Sequence, residues 1–453
     1  MRLLIVLGLI LLLGSCFSAN REPGYVYFWL ESNPTTLDPA LVVDYNGGII
    51  AAKLFNGLVR LGPKLEIIPD IAESWEVSTN GLAYTFKLRE GVRFSSGRSV
   101  RAQDFKYSFE RVLDPATKSP NTWIFEKIKG VGEFMDGQEE AVSGIEVIDE
   151  HTLIIKLSKP FSPFLNLLTM PAAYVIPFEE VLHQGADFSS NPVGTGPYVL
   201  KEWIPSQSME LERSVHYFNE MAKVEGIIYR IIPEALTAVM EFELGNLDVI
   251  KVPGSAYDRY RRSISWKPLL TAEESLNTYY LGLNCAREPF SDPEVRRAMN
   301  MAIDRDKILR TMYQGRGILA QGPVPGILRN WNSPAGYDYD PDEAKSVFRE
   351  KGLLGEELQF YVKADQQNVD IAEVIQAYLI EAGLNISIRP LEWSAYKEAI
   401  NNGEADLFWL SWWADYSDPE NFLFPLFHSS NHGSGGNRVR YDNKELDGFI
   451  EMG

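Results

Sequence analysis

Residues 357–413 constrain the fold more than any other stretch of this chain. Leu358 to Val362 is a short apolar run, and Val369 to Ala382 has helical spacing and closes at Gly383. Asn385 to Leu391 alternates Ile386, Ile388 and Leu391, Ser394 to Ile400 is helical again, and Ala405 to Leu410 is mostly apolar. Strand, helix, strand, helix, strand at this spacing predicts a right-handed parallel α/β unit. Ligands of such sheets gather beyond the carboxyl ends of the strands. Residues 411–419, Ser-Trp-Trp-Ala-Asp-Tyr-Ser-Asp-Pro, are therefore expected to form a ligand wall.

The rest of the chain supplies further α and β elements. Tyr25 to Leu30 reads as a strand, and a helix is expected around Ala51 to Phe55. Ser74 to Val77 and Ala83 to Leu88 alternate on either side of Asn80-Gly81, a strong hairpin signal. Arg101 to Leu113 is helical, and strands are expected near 143–149 and 152–157. Val295, Ala298, Met299, Ala302 and Ile303 form a core-facing stripe after Asp292-Pro293. Another helix opens at Asp340-Pro341-Asp342-Glu343. An apolar fraction of 45% in 453 residues suits two or three domains with real cores. The formal net charge of −19 argues against nucleic acid and anionic lipid surfaces as partners.

The amino terminus sets an expected compartment. Arg2 precedes an apolar run from Leu3 to Leu13, broken only by Gly8 and too short to span a bilayer. That pattern reads as a secretory signal over residues 1–15. Leu13-Gly14-Ser15-Cys16 resembles the lipobox of bacterial lipoproteins, which implies a lipid on Cys16. Cys285 is then left alone, so no intramolecular disulfide is expected and no chemistry is assigned to it.

A search for catalytic patterns yields little. The sequence has no His-Glu-x-x-His, Gly-x-Ser-x-Gly, phosphate-cradling Gly-rich loop or EF-hand loop. Gly194-Thr195-Gly196-Pro197 is glycine-rich, but Pro197 lacks the N–H that a phosphate would want. Of five histidines only His428 and His432 have i, i+4 spacing, in a Ser- and Gly-rich stretch that favours a loop over a metal pair. No enzyme, cofactor or metal is expected.

Several motifs together resemble the bacterial extracellular solute-binding proteins, family 5. Pro34 to Pro39 (PTTLDP), Pro69 to Val77 (PDIAESWEV), Tyr84 to Phe94 (YTFKLREGVRF) and Val193 to Tyr198 (VGTGPY) follow in the family's order. Val295 to Ala298 and Trp413 to Pro419 complete the set. At Arg101 the sequence departs from the family's usual threonine, and the loss of an N-cap there is expected to cost about 1 kcal/mol.

The resemblance implies an α/β, two-lobe, type II-like periplasmic-binding-protein fold with an extra domain inserted in the first lobe. Mapped here, 16–45 is the tether and start of lobe I, 46–179 the insert, 180–270 lobe I, and 271–453 lobe II. Family members finish by returning to lobe I, and this chain is expected to lack that return. The implied function is a monomeric, lipid-anchored, extracytoplasmic binding subunit of an ABC importer, delivering small peptides to a membrane permease. Asp415 would hold the ligand's α-ammonium, as its counterpart does in peptide-binding relatives, with Trp413, Tyr416 and Trp393 as further ligand contacts. Trp412 divides between ligand and core. An oligosaccharide- or nickel-binding member stays open, as do a secreted hydrolase and an adhesin.

Overall fold

The computed structural model describes residues 21–329, 331 and 336–452; Cys16 and the leader lie outside the described residues. The chain divides into two compact units between Leu270 and Thr271.

In the first unit, β1 (Tyr25–Leu30) lies at the edge of a four-stranded sheet in the order β1-β10-β9-β8, with β8 (Tyr198–Ile204), β9 (Ser208–Arg213) and β10 (Gly226–Ile231). β1 runs parallel to β10, and the other pairs are antiparallel. The helix Tyr45–Leu54 buries Ile50, Ala51 and Leu54 in one core with Tyr198, Met209, Leu211 and Tyr229 from that sheet. Residues 46–54, assigned by resemblance to the insert, thus pack with the strands assigned to lobe I.

β2 (Val59–Leu61) and β3 (Ile67–Pro69) pair antiparallel, and β4 (Ala72–Val77), β5 (Ala83–Leu88), β7 (Thr152–Lys156) and β6 (Ile145–Asp149) form a further sheet in that order. The expected hairpin is β4 and β5, with Gly81 at a φ of 68° and the Asn80 side chain accepting from Leu82 N–H at 3.1 Å. β6 and β7 form the other pair. The helix Ala102–Leu113 buries Phe105, Phe109 and Val112. Its start is better held than the arginine suggested. Arg101 provides no side-chain cap, but the Asp104 carboxylate accepts the Arg101 N–H at 2.8 Å and pairs with Arg98 at 2.7 Å.

The glycines of VGTGPY serve packing. A Cβ on Gly194 would fall 2.1 Å from the Leu54 carbonyl oxygen, and one on Gly196 would fall 2.3 Å from that of Lys53. Between them Thr195 engages Asn56, whose Nδ2 donates to both oxygens of Asp70 at 3.0 Å. Asp70 is buried, and desolvation lifts its pKa from 3.8 to about 6 despite these donors. The folded state then holds a proton that the unfolded chain releases first. Stability from this group is therefore full below about pH 4 and declines as pH rises through about 6, by roughly 3 kcal/mol in all. Asp70→Asn should flatten the pH 4–6 segment of a urea-stability profile; an unchanged slope would assign it to other groups.

In the second unit β11 (Asn277–Leu283), β14 (Leu407–Trp413), β12 (Glu357–Lys363) and β13 (Asn385–Leu391) form one sheet in that order. β12 is parallel to both β13 and β14, as the spacing predicted. The intervening helices are Gln366–Glu381 and Trp393–Asn402. The first packs with Pro293–Met301 and Pro341–Glu350 around Phe348, Phe360, Ile375 and Leu407. The second buries Tyr396 and Ile400 against Phe408 in a separate cluster.

One boundary differs from expectation. β14 does not stop at Leu410 but runs to Trp413, because β11 (Asn277–Leu283) pairs antiparallel with it along its whole length, Asn277 opposite Trp413. Residues 411–413 are strand, and only the residues from Ala414 onward lie beyond it.

Candidate functional site

The carboxyl ends of β12, β13 and β14 are Lys363, Leu391 and Trp413, and three of the four expected contact residues lie at this edge of the second unit. Trp413 ends β14 and is 54% exposed, with its Nε1 donating to Ser411 Oγ at 3.2 Å. Trp393 opens the helix after β13 and is 43% exposed, with the ammonium groups of Lys397 and Lys363 5.4 and 5.9 Å from its ring centroid. Asp415, two residues beyond Trp413, is exposed.

Tyr416 is placed differently. It is 8% exposed, and its hydroxyl donates to the Glu420 carboxylate, so it belongs to the packed interior of the turn. Trp412 likewise points inward and donates from Nε1 to the Asn421 carbonyl at 2.7 Å. The alternation of a strand explains the pair: consecutive side chains take opposite faces, so Trp412 is core where Trp413 is open.

The loop that presents Asp415 is held from both ends. Ala414 N–H donates to the Leu276 carbonyl at 2.9 Å, extending the β11–β14 pairing by one residue. Beyond it, the Asp415 N–H donates to Asn421 Oδ1 at 2.8 Å. Asp418 accepts the Glu420 N–H at 2.9 Å, the turn role expected of an aspartate before proline, at the start of the helix Glu420–Phe427. Asn421 is 4% exposed and links Trp412 to Asp415, a role that the sequence did not single out. Its only sequence signal is a polar residue at the start of an otherwise apolar helix.

Surrounding protein raises the pKa of Asp415, and a hydrogen bond from the Asn421 side chain opposes the rise. No neighbouring cation contributes. The carboxylate is therefore partly desolvated without an ionic partner, and a compact cation brought to it gains more than it would in bulk water.

Sequence reading also missed an aromatic set on the same face of the sheet. Tyr279 of β11 stacks on Trp409 with ring centroids 6.2 Å apart, and Tyr313 stands 5.8 Å from Tyr279. The i, i+2 spacing of Tyr279 and Leu281 was the available signal.

The histidine pair does not converge. His428 contacts Ser430 Oγ at 2.7 Å and Glu451 at 3.2 Å, whereas His432 meets the Tyr441 carbonyl at 3.1 Å. Among the described residues no three His, Cys, Asp or Glu side chains are grouped to hold a metal ion. The Cys285 thiol is partly buried, and burial raises its pKa, away from reactivity.

Comparison with known proteins matches residues 66–434 to the family model described as bacterial extracellular solute-binding proteins, family 5 Middle. Heme-binding protein A of Haemophilus influenzae is 31% identical over 92% of this chain and 79% of its own length. Probable di/tripeptide-binding protein 5 of Pseudomonas aeruginosa is also 31% identical, covering 93% of this chain and 83% of that one. The structure of HbpA2 from Haemophilus parasuis superposes with a TM-score of 0.84 at 27% identity, over 94% of this chain and 87% of that one. These are two-lobe binding proteins of mixed α/β structure, the class that the sequence implied.

Proposed function

The chain belongs to the bacterial extracellular solute-binding proteins, family 5, and from that premise we propose that it captures small peptides by their free amino terminus. It does so as the lipid-anchored, extracytoplasmic subunit of an ABC importer. The observation that carries this reading is Asp415: a partly desolvated carboxylate with no cation beside it, just past the carboxyl end of β14, one of three parallel strands in the sheet. A charge-assisted hydrogen bond to an α-ammonium is worth about 1.5–3 kcal/mol. The peptide backbone would pair with main chain, which leaves side-chain specificity loose. The family and its named relatives are binding proteins, and the proposed cycle is capture and release without turnover.

In this reading residues 22–45 and 180–270 form lobe I, 46–179 an insert and 271 onward lobe II. Lobe closure excludes water from the ligand. A lipid on Cys16 keeps the subunit near its permease, since each buried methylene contributes about 0.8 kcal/mol. Trp413 and Trp393, both open at the sheet edge, are the aromatic contacts.

Titration calorimetry with mixed tri- to pentapeptides, free and N-acetylated, tests the reading. Binding is expected only with the free amine, and equal affinity for both forms would remove Asp415 from the role. Haemin, oligosaccharides and Ni(II) serve as comparison ligands. Peptide hydrolysis on long incubation would instead support an enzyme, and a flat response to every ligand would support an adhesin.

A further inference from the structure

Arg21 is fastened to one corner of the first unit. Its guanidinium donates to the Gly245 carbonyl at 2.8 Å and pairs with Asp248. Gly245 follows the helix Ala235–Glu243, which buries Ala238 and Val239 and leaves Leu236, Met240 and the capping Leu244 at four-residue spacing on its open side. Leu244 is 72% exposed. The helix Gly254–Arg262 packs at the same end. Arg259 pairs with Glu243 at 2.8 Å, the Tyr260 hydroxyl donates to Glu243 at 3.0 Å, and the Trp266 ring lies 5.2 Å from that of Phe242. Between Tyr260 and Trp266 the chain exposes Arg261, Arg262 and Ile264, the last to 96%.

Charge on this face runs against the rest of the molecule. From Leu244 to Leu269 five basic residues (Lys251, Arg259, Arg261, Arg262 and Lys267) stand against two acidic ones, a local +3 in a chain of −19. Asp248 is taken up by Arg21, and the single carboxylate of Asp258 is shared by Arg261 and Arg262. With a screening length of about 8 Å at physiological salt, a neighbouring surface feels the nearest charges and not the chain's total. The whole-chain charge argues against an anionic lipid partner; this face has the opposite sign, and its exposed Leu244 and Ile264 beside guanidinium groups suit the boundary between headgroups and acyl chains.

We infer that the face formed by Leu244, Arg261, Arg262 and Ile264 rests on the anionic lipid surface of the membrane. The inference rests on the Cys16 lipid proposed above and adds an orientation to it. Reach supports it: Arg21 is five residues after Cys16, and at roughly 3.3–3.6 Å each they span at most about 18 Å. A lipid on Cys16 keeps the Arg21 backbone within that distance of the bilayer, and the exposed face begins one arginine side chain away. Tethering at that range lets a surface too weak to bind alone settle on the membrane.

Mass spectrometry of the mature chain reads the acyl mass on Cys16, and fluorescence on vesicles reads the docking. Ile264→Cys, in a Cys285→Ser background, carries an environment-sensitive fluorophore on the lipidated chain. Its emission should shift to the blue on vesicles rich in phosphatidylglycerol, and high salt or pure phosphatidylcholine should reverse most of that shift. Arg261→Gln with Arg262→Gln should cut the shift at least threefold at an unchanged melting temperature. An acylated chain whose label reads as water on both lipids, or whose shift ignores the arginines, overturns the docking face and leaves the anchor standing. Sedimentation as a dimer that Ile264→Ser splits gives the face to a second copy and overturns it too. No acyl mass on Cys16 overturns both.

Discussion

Asp415→Ala is expected to weaken peptide binding at least tenfold while leaving the melting temperature within a few degrees of wild type. The asymmetry follows from the site. The residue is exposed, and the backbone N–H that bonds Asn421 Oδ1 at 2.8 Å and holds the loop is kept by the substitution. Truncation removes a charge-assisted bond to the ligand, about 1.5–3 kcal/mol, which is roughly 10- to 150-fold in affinity. Asp415→Asn should lose nearly as much, since the amide keeps the shape and loses the charge. Wild-type affinity in both variants would mean that the ammonium sits elsewhere. Asn421→Ala makes a useful contrast. It frees the Asp415 N–H from Asn421 Oδ1 while the Asn421 carbonyl still accepts from Trp412, and it leaves a buried site empty, so it should weaken binding and lower stability together.

Asp38→Ala is the second large effect, and it falls on stability. Both oxygens of Asp38 receive the Arg111 guanidinium, Oδ1 at 2.8 Å from Nη1, and Oδ1 also accepts the Ala40 N–H at 3.1 Å. The side chains are only 4% and 15% exposed. Deleting one partner strands the other charge in the interior, which typically costs about 3–5 kcal/mol. Urea denaturation should show that loss, and Asp38→Leu with Arg111→Met should recover much of it, since an apolar pair leaves no orphan charge. A single-variant loss under 1 kcal/mol would mean that solvent reaches the pair.

These two aspartates also show how far sequence reasoning reached. Both lie in motifs noticed in the bare sequence, PTTLDP and WADYSDP. For Asp415 the position at a strand end was enough, because the strand's place in a parallel unit follows from hydrophobic period and spacing. For Asp38, in an irregular segment, nothing local announces Arg111, 73 residues away on the helix Ala102–Leu113. Tyr416 was misplaced for a related reason: proximity to Asp415 along the chain says nothing about which side of a turn a ring takes.

The sequence by itself therefore determined the local elements, their α/β class and the family, since these depend on period, turn chemistry and short motifs that are read a few residues at a time. Only the tertiary structure decided which charges are buried, which are paired and which wait for a partner. Strand order placed β11 beside β14 and carried that strand to Trp413. Burial turned Asp70 into a carboxyl that holds its proton to about pH 6. Desolvation and pairing depend on groups brought together from distant parts of the chain, and no window of sequence contains both members.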